Sequence, residues 1–339
     1  PVIKKAKKIV LGGEGEVIDY AVKMRQLPRE KMLNVLLTKA EMPPDIPARV
    51  ARKLAAFHEK AGTGDAVNVF GSRDSIKFNT EENFRETEKY VGTTISAGKF
   101  HRIKDFTDRF ITENSALFQK RVAAGKIRDC HGDLHAAHIC VTNGICIYDC
   151  IEFNERFRFC DVASEVAFLA MDLDHYGRAE LSRSFIESYV ESSGDEDLLR
   201  LLSFYKCYRA YVRGKVESFK FSDPYIGETE RAKTHDIAAS YFDLAGFYAR
   251  PGPVLFITMG LVGTGKTVLA NALAKRLGAV VISSDVVRKT LAGIPLTEHR
   301  FGEYNNGLYS REMSRRTYDA MFARAEGYLS KGMSVILDA

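Results

Sequence analysis

The sequence predicts two regions of different class: an α+β region over residues 1–249 and an α/β region with a parallel sheet over 254–339. Three observations predict this division. Residues 250–253 read R-P-G-P, a pair of prolines and a glycine that ends the preceding helix and makes a linker. Downstream of it, apolar β-rich runs alternate with helical patterns, the signature of parallel strands joined by crossovers. Upstream, strand-like runs open the chain and reappear at 127–150 among helical patterns, an α+β order.

In the first region, VIKKAKKIVL and EVIDYAVKMRQL flank GGEGE and read as a hairpin. Gly12, Gly13 and Gly15 lack the G-x-G-x-x-G spacing and no helix follows, so they read as a turn rather than a nucleotide loop. IPARVARKLAAFHEKA follows, with Ile46, Val50, Leu54 and Phe57 on one helical face. Residues 81–124 read as mostly helical. Short strands IRDCHGD, HICVT and ICIYDC come next, and then DVASEVAFLAMDL as a helix with Val162, Val166, Leu169 and Leu173 aligned. Two long helices are expected at about 195–220 and 228–249.

The second region reads as strand VLFITMG, helix TVLANALAKRL, strand AVVISSD, a short helix, a long helix through about residue 330, and strand SVILDA. The 339 residues are 45% hydrophobic and 27% charged, an ordinary globular composition with room for two domains. A net charge of +5 does not call for nucleic acid, which wants a concentrated basic face. The cluster Lys4, Lys5, Lys7 and Lys8 reads as a solvated edge. No apolar run is long enough to span a membrane and no secretory signal is visible, so a cytoplasmic protein is expected. The six cysteines form no C-x-x-C and are expected to be buried free thiols, as in a reducing compartment.

The strongest motif is GLVGTGKT at 260–267, which fits G-x-x-x-x-G-K-[ST] between a strand and a helix. Gly260, Gly263, Thr264 and Gly265 let successive N–H groups surround phosphate oxygens, and the helix N-terminus adds its dipole. Lys266 is placed to bridge the terminal phosphates of ATP and Thr267 to ligate Mg²⁺. Asp338, ending SVILDA, is placed to hold the magnesium water shell. Asp285 ends AVVISSD at the ligand crevice, where it is also placed to cap the next helix.

GLVGTGKT followed by ISSDVVRK resembles the small P-loop kinases, among them gluconate and shikimate kinases, zeta toxins and the kinase domain of polynucleotide kinases. The resemblance implies Asp285 as the catalytic base toward an acceptor hydroxyl and Arg288 as a clamp on substrate or phosphate. Arg311, Arg315 and Arg316 fall on a predicted helix and read as solvated.

In the stretch HGDLHAAHICVTNGICIYDC, Asn143-Gly144 is a strong hairpin turn that brings Asp133 and Asp149 together at one end of a ribbon. His131, His135 and His138 would make a zinc cage only from one continuous helix, which Gly132 and the flanking strand runs oppose. HGDLH with IYD sixteen residues on resembles the aminoglycoside and choline phosphotransferases over about residues 15–220. That resemblance implies Asp133 as catalytic base, Asp149 as Mg²⁺ ligand, His131 as a brace for the loop, and EVIDYAVKMRQLP as the last lobe strand and hinge.

Two features depart from that family. His138 stands where it has a metal-binding asparagine, which implies a weakened metal site, a softer metal such as Mn²⁺, or lost catalysis. No glycine-rich loop or strand lysine is identifiable before the helices.

Together the two halves resemble a bacterial architecture that joins an aminoglycoside phosphotransferase-like domain to a P-loop ATP-binding domain. It implies transfer of the γ-phosphoryl group of ATP to a hydroxyl of a small molecule. The alternatives are a first domain that only binds or regulates, and a P-loop domain acting on a nucleic-acid 5′-hydroxyl.

Overall fold

The computed structural model describes the chain apart from residues 6–7, 25, 251, 262, 297–306 and 331–332. Lys7 and Pro251 therefore lie outside the described residues, while Lys4, Lys5 and Lys8 are exposed as expected of a solvated edge.

Strands β1 (Val2–Lys5), β2 (Lys8–Leu11) and β3 (Glu16–Asp19) form an antiparallel sheet in the order β2-β1-β3. This corrects the expected hairpin across GGEGE. The first run is itself two strands, and β3 pairs with β1, Ile3 facing Val17. The buried side chain decides the order: Ile3 is covered, while β2 is exposed along its whole length and takes the edge. Beyond Asp19, residues 20–24 and 26–28 are in neither strand nor helix, so only the first four residues of the expected second run are strand.

Six helices follow: α1 (Leu33–Lys39), α2 (Ile46–Lys60), α3 (Asp65–Asn68), α4 (Arg73–Thr87), α5 (Ala97–Glu113) and α6 (Ser115–Ala123). On α2, Ile46, Val50 and Leu54 are buried as the periodicity predicts, but Phe57 is exposed and His58 takes the inward position. The chain then passes through β4 (Ile127–Asp129), β5 (Ile139–Val141), β6 (Ile145–Ile147), α7 (Glu155–Arg158) and β7 (Phe159–Asp161). β5 and β6 are the expected hairpin, with Cys140 opposite Cys146, and β4 pairs antiparallel with β7. All six cysteines are free, but only Cys130, Cys140 and Cys207 are buried; Cys150 is exposed, because it follows the hairpin at its open end.

Helix α8 (Val162–His175) is buried on every side through Leu173 and forms the centre of this region. An all-round apolar helix must be covered on all faces. α9 (Ala179–Ser193) and α10 (Leu198–Phe221) supply most of that cover, α2 packs along α9, and α11 (Glu228–Tyr248) packs along α10. The residues up to 249 are thus mostly helical, with small sheets of two or three strands. Helix α9 lies outside the elements that the sequence predicts. Among the described residues no helix is long and apolar enough to cross a membrane.

The C-terminal part contains β8 (Leu255–Thr258), α12 (Lys266–Leu277), β9 (Val280–Ser283), α13 (Ser284–Leu291), α14 (Arg311–Leu329) and β10 (Val335–Asp338). The three strands form a parallel sheet in the order β8-β10-β9, with Asp338 level with Thr258 and Ser283. β10 is buried throughout, as an unbroken apolar run at the centre of a parallel sheet should be.

Candidate functional site

The hairpin β5–β6 begins and ends beside the loop 131–135, and three polar side chains meet there. The Nδ1 of His138 donates to the backbone oxygen of Asp133 at 2.9 Å and lies 3.6 Å from its Oδ2. Its Nε2 lies 3.4 Å from Oδ2 of Asp149. Since Nδ1 carries the proton in the neutral ring, Nε2 presents a lone pair toward Asp149. Burial, then the nearby charge of His135, lower the His138 pKa against the pull of the two aspartates, which keeps the ring neutral at pH 7. Asp149 is one of two described non-glycine residues with positive φ, at 64°. Such backbone strain persists where the surroundings fix it, and it clusters at functional sites.

Asp133 also faces Nε2 of His135 at 3.5 Å. Burial opposes its ionisation, but the His135 hydrogen bond and the charges of His135, His138 and Arg213 outweigh burial and hold the carboxyl down at about 2. Asp133 is therefore a firm carboxylate at neutral pH.

The loop is braced from behind. His131 Nε2 donates to the carbonyl of Tyr148 at 2.7 Å, and its Nδ1 accepts from the N–H of Asp133 at 3.3 Å. The Gly132 peptides are gripped on both sides. The Gly132 N–H donates to Oε1 of Glu165 at 2.8 Å, and its carbonyl accepts from Nη1 of Arg209 at 3.1 Å. Gly132 has φ 87°, and a Cβ there would meet the Phe157 carbonyl at 2.9 Å, so no other residue fits. Glu165, on α8, is fully buried and bonds Nε2 of His58 at 2.7 Å; His58 Nδ1 in turn meets the Tyr189 hydroxyl at 2.8 Å.

Burial works against the Glu165 carboxylate, yet the His58 hydrogen bond and charge, with the Gly132 N–H, lower its pKa. As pH falls, the unfolded chain takes up this proton first. The Glu165 contribution is therefore present above the ordinary carboxylate range and is lost as pH falls through the lower folded value. Glu165→Ala is expected to cost about 1–3 kcal/mol for the orphaned Gly132 N–H alone. Glu165→Gln retains an acceptor for Gly132, so urea midpoints of this variant and wild type should converge as pH is lowered. Midpoints that stay parallel would contradict this account.

A cavity of 460 Å³ opens beside Gly132 and Asp133, walled by α4, α7, β7 and α10. Phe70, Phe157, Tyr208 and Phe219 contribute rings, and Glu82, Glu86, Arg156, Arg209 and Lys215 contribute charge.

In the C-terminal sheet, the segment 260–267 joins the end of β8 to α12. Gly265 caps α12 at φ 85°, a conformation open to glycine. Lys266 Nζ folds back onto the carbonyls of Gly260 at 2.7 Å and Leu261 at 3.0 Å, and the Thr264 hydroxyl donates to the Leu261 carbonyl at 2.8 Å. Gly263 has φ 80°. Asp338, at the end of central β10, accepts from Thr267 at 2.8 Å and from Thr258 at 2.9 Å. The two carboxylates singled out in this part are placed differently. Asp338 adjoins the loop, whereas Asp285 lies in the first turn of α13 and pairs with Lys289 at 2.9 Å. Asp285 is not the helix cap that its position offered; Ser283 precedes the helix and leaves that bond unmade. Arg288 lies over the Tyr309 ring at 4.9 Å, and its Nε is buried with no partner among the described residues. Arg311, Arg315 and Arg316 are exposed on α14.

Sequence reasoning missed His58, Glu165, Arg209 and Arg121, all buried. Glu165 left a readable signal: a charged residue in an otherwise apolar helix must find a partner. His58 and Arg209 left none, because their partners are distant in sequence.

A family model described as an AAA domain matches residues 255–339. With GLVGTGKT and the parallel sheet, this part of the chain is a P-loop nucleotide-binding domain. Over 291 residues, 85% of the chain, the sequence is 34% identical to an uncharacterized protein of Mycobacterium bovis and to uncharacterized proteins of two Mycobacterium tuberculosis strains. The chain spans 57% of the length of those relatives. Among solved structures, a glucosamine kinase aligns over 60% of this chain and 54% of its own, at 15% identity and TM-score 0.38. A glucosamine kinase in complex with glucosamine, ADP and inorganic phosphate aligns over 60% and 56%, at 16% identity and TM-score 0.37. At those scores neither likeness carries an argument about fold or substrate.

Proposed function

We propose that the chain is an ATP-dependent phosphotransferase with two nucleotide-related domains. Residues 1–249 form a kinase-like domain that phosphorylates a hydroxyl of a small molecule, 250–253 are the linker, and 254–339 are a P-loop domain that binds ATP. The observation that carries the reading is the meeting of Asp133, His138 and Asp149, of which Asp133 also lines the cavity.

In this reading Asp133 holds the acceptor hydroxyl. A carboxyl with a pKa of about 2 is a weak base toward a free alcohol. It orients the oxygen, and takes the proton only once the new O–P bond has made that oxygen acidic, as a loose transition state allows. The bond between the γ-phosphorus and the bridging oxygen breaks as the acceptor O–P bond forms, and ADP leaves with the electron pair.

His138 Nε2 and Asp149 Oδ2, both acceptors at 3.4 Å, fit a shared divalent cation. A mixed nitrogen and oxygen pair favours Mn²⁺ relative to Mg²⁺, which prefers oxygen ligands. Such a cation would supply charge neutralisation for the triphosphate. In the P-loop domain, Thr267 and Asp338 would hold Mg²⁺, Gly260, Gly263, Thr264, Gly265 and Lys266 would cradle phosphate, Asp285 would serve as base, and Arg288 would clamp the substrate.

A second reading leaves catalysis to the P-loop domain alone, with residues 1–249 binding or regulating. The Thr267–Asp338 contact favours a competent P-loop, and the histidine in the place of asparagine favours a silent first domain. Transfer of label from γ-labelled ATP to a panel of hydroxyl compounds separates the two. Product lost with Asp133→Asn and kept with Lys266→Ala supports the first; the reverse pattern supports the second. Lys266→Ala should also weaken ATP binding by the P-loop domain about 10–100-fold, the loss of charge-assisted phosphate bonds. Equal affinities by calorimetry would remove the P-loop assignment.

A further inference from the structure

The acid groups of the cavity beside Asp133 are already matched by cations. Glu82 is bound by Arg156 at 2.7 Å, and the same arginine donates to Asn79 at 3.1 Å. Glu86 is bound by Lys215 at 2.6 Å, which also donates to Asn83 at 2.7 Å. Asp161 is turned toward Arg121, which lies outside the cavity lining. This leaves one carboxylate in the lining, Asp133, facing imidazoles rather than a lysine or arginine at salt-bridge distance among the described residues. It is set against Arg209, a buried guanidinium that bonds the Ser164 and Gly132 carbonyls and has no carboxylate partner among the described residues. The cavity is therefore electrically balanced, and its remaining surface mixes aromatic rings with aliphatic side chains and a few polar ones.

We infer that the acceptor held at Asp133 is a hydroxylated ring compound that is neutral or singly anionic, not a polycation. This rests on the phosphotransferase reading for the word acceptor, but the binding claim stands apart from it. A polycation has to pull Glu82 and Glu86 from Arg156 and Lys215, leaving those cations in a half-buried wall with only the amides of Asn79 and Asn83 and no carboxylate, a cost that selects against it. Arg209 adds repulsion on the same side as Asp133. A ring lays its apolar face on Phe157, Tyr208 or Phe219 and turns a hydroxyl to Asp133, which costs no ion pair. The 460 Å³ volume lies within the usual range for a small-ligand site and admits a sugar or nucleoside. A single negative charge on the ring finds Arg209.

The test is calorimetric titration of the full chain, without nucleotide, at fixed salt. The probes are methyl β-glucoside, uridine, glucuronate and the polycationic sugar neomycin. At least one of the first three is expected to bind more tightly than neomycin. The double variant Arg156→Gln/Lys215→Met frees both glutamates and is expected to gain neomycin affinity by about tenfold or more. Arg156→Gln and Lys215→Met singly should each show part of that gain, so the comparison survives if the double variant fails to fold. Neomycin as the tightest wild-type ligand, no binding by any ring probe, or variants with no gain for neomycin would each overturn the inference. Ring-probe binding without phosphate transfer leaves it standing and removes the phosphotransferase reading. Transfer to neomycin does the opposite.

Discussion

Asp133→Asn is expected to lower turnover of the acceptor reaction by about 10²–10⁴, the usual worth of a positioned proton acceptor. The asparagine is nearly isosteric, so the His138 bond to the backbone carbonyl of residue 133 survives and the loop keeps its shape. What is lost is the negative charge that aligns the hydroxyl and receives its proton. The KM for ATP should move little, because Asp149 and His138 remain. Steady-state kinetics on the best acceptor check this, with the split between kcat and KM as the readout. A KM effect with unchanged kcat would make Asp133 a binding group only. The acid limb of the wild-type pH profile should not lie in the ordinary carboxylate range, because Asp133 is held ionised down to about 2.

Arg121→Ala is expected to destabilise the first domain by about 3–5 kcal/mol, the cost of breaking a buried charge network from one side. Arg121 is 2% exposed, and its guanidinium bonds both oxygens of Asp161 at 2.6 and 2.9 Å and also Asp195. Burial works against its charge, yet the two carboxylates more than compensate and raise its pKa. Asp161 is tied further, since its Oδ1 caps α8 through the Ala163 N–H at 2.8 Å. Removing the arginine thus leaves Asp161 without a cation and Asp195 with only Lys126, at 3.7 Å, and loosens the start of the central helix. Urea denaturation measures the loss. The triple variant Arg121→Met/Asp161→Asn/Asp195→Asn should recover much of it, because it removes the charges together. A loss below about 1 kcal/mol in the single variant would mean that water reaches the network.

Much of this architecture was legible because it rests on short-range patterns. The parallel sheet, GLVGTGKT and the Asn143-Gly144 turn each need only neighbouring residues, and each appears where the spacing placed it. The hairpin that sets Asp149 opposite Asp133 follows from the turn alone. What failed depended on long-range pairing. Strand β3 chose β1 over the nearer β2 because burial of Ile3, not loop length, set the order. On α2, the periodicity placed Phe57 inward, yet the core wanted His58 there as a partner for Glu165, 107 positions away. Arg209 likewise reaches Gly132 across 77 positions. Such pairings carry no local signature, so only folded coordinates reveal them.

The lysine of the phosphate loop has one more consequence. With its ammonium seated on the carbonyls of Gly260 and Leu261, the loop already contains a cationic plug made from its own chain. A nucleotide phosphate entering the loop has to displace this plug, and it inherits the charge. Binding is an exchange of partners, and its free energy is the difference between phosphate and carbonyl as a host for one ammonium group.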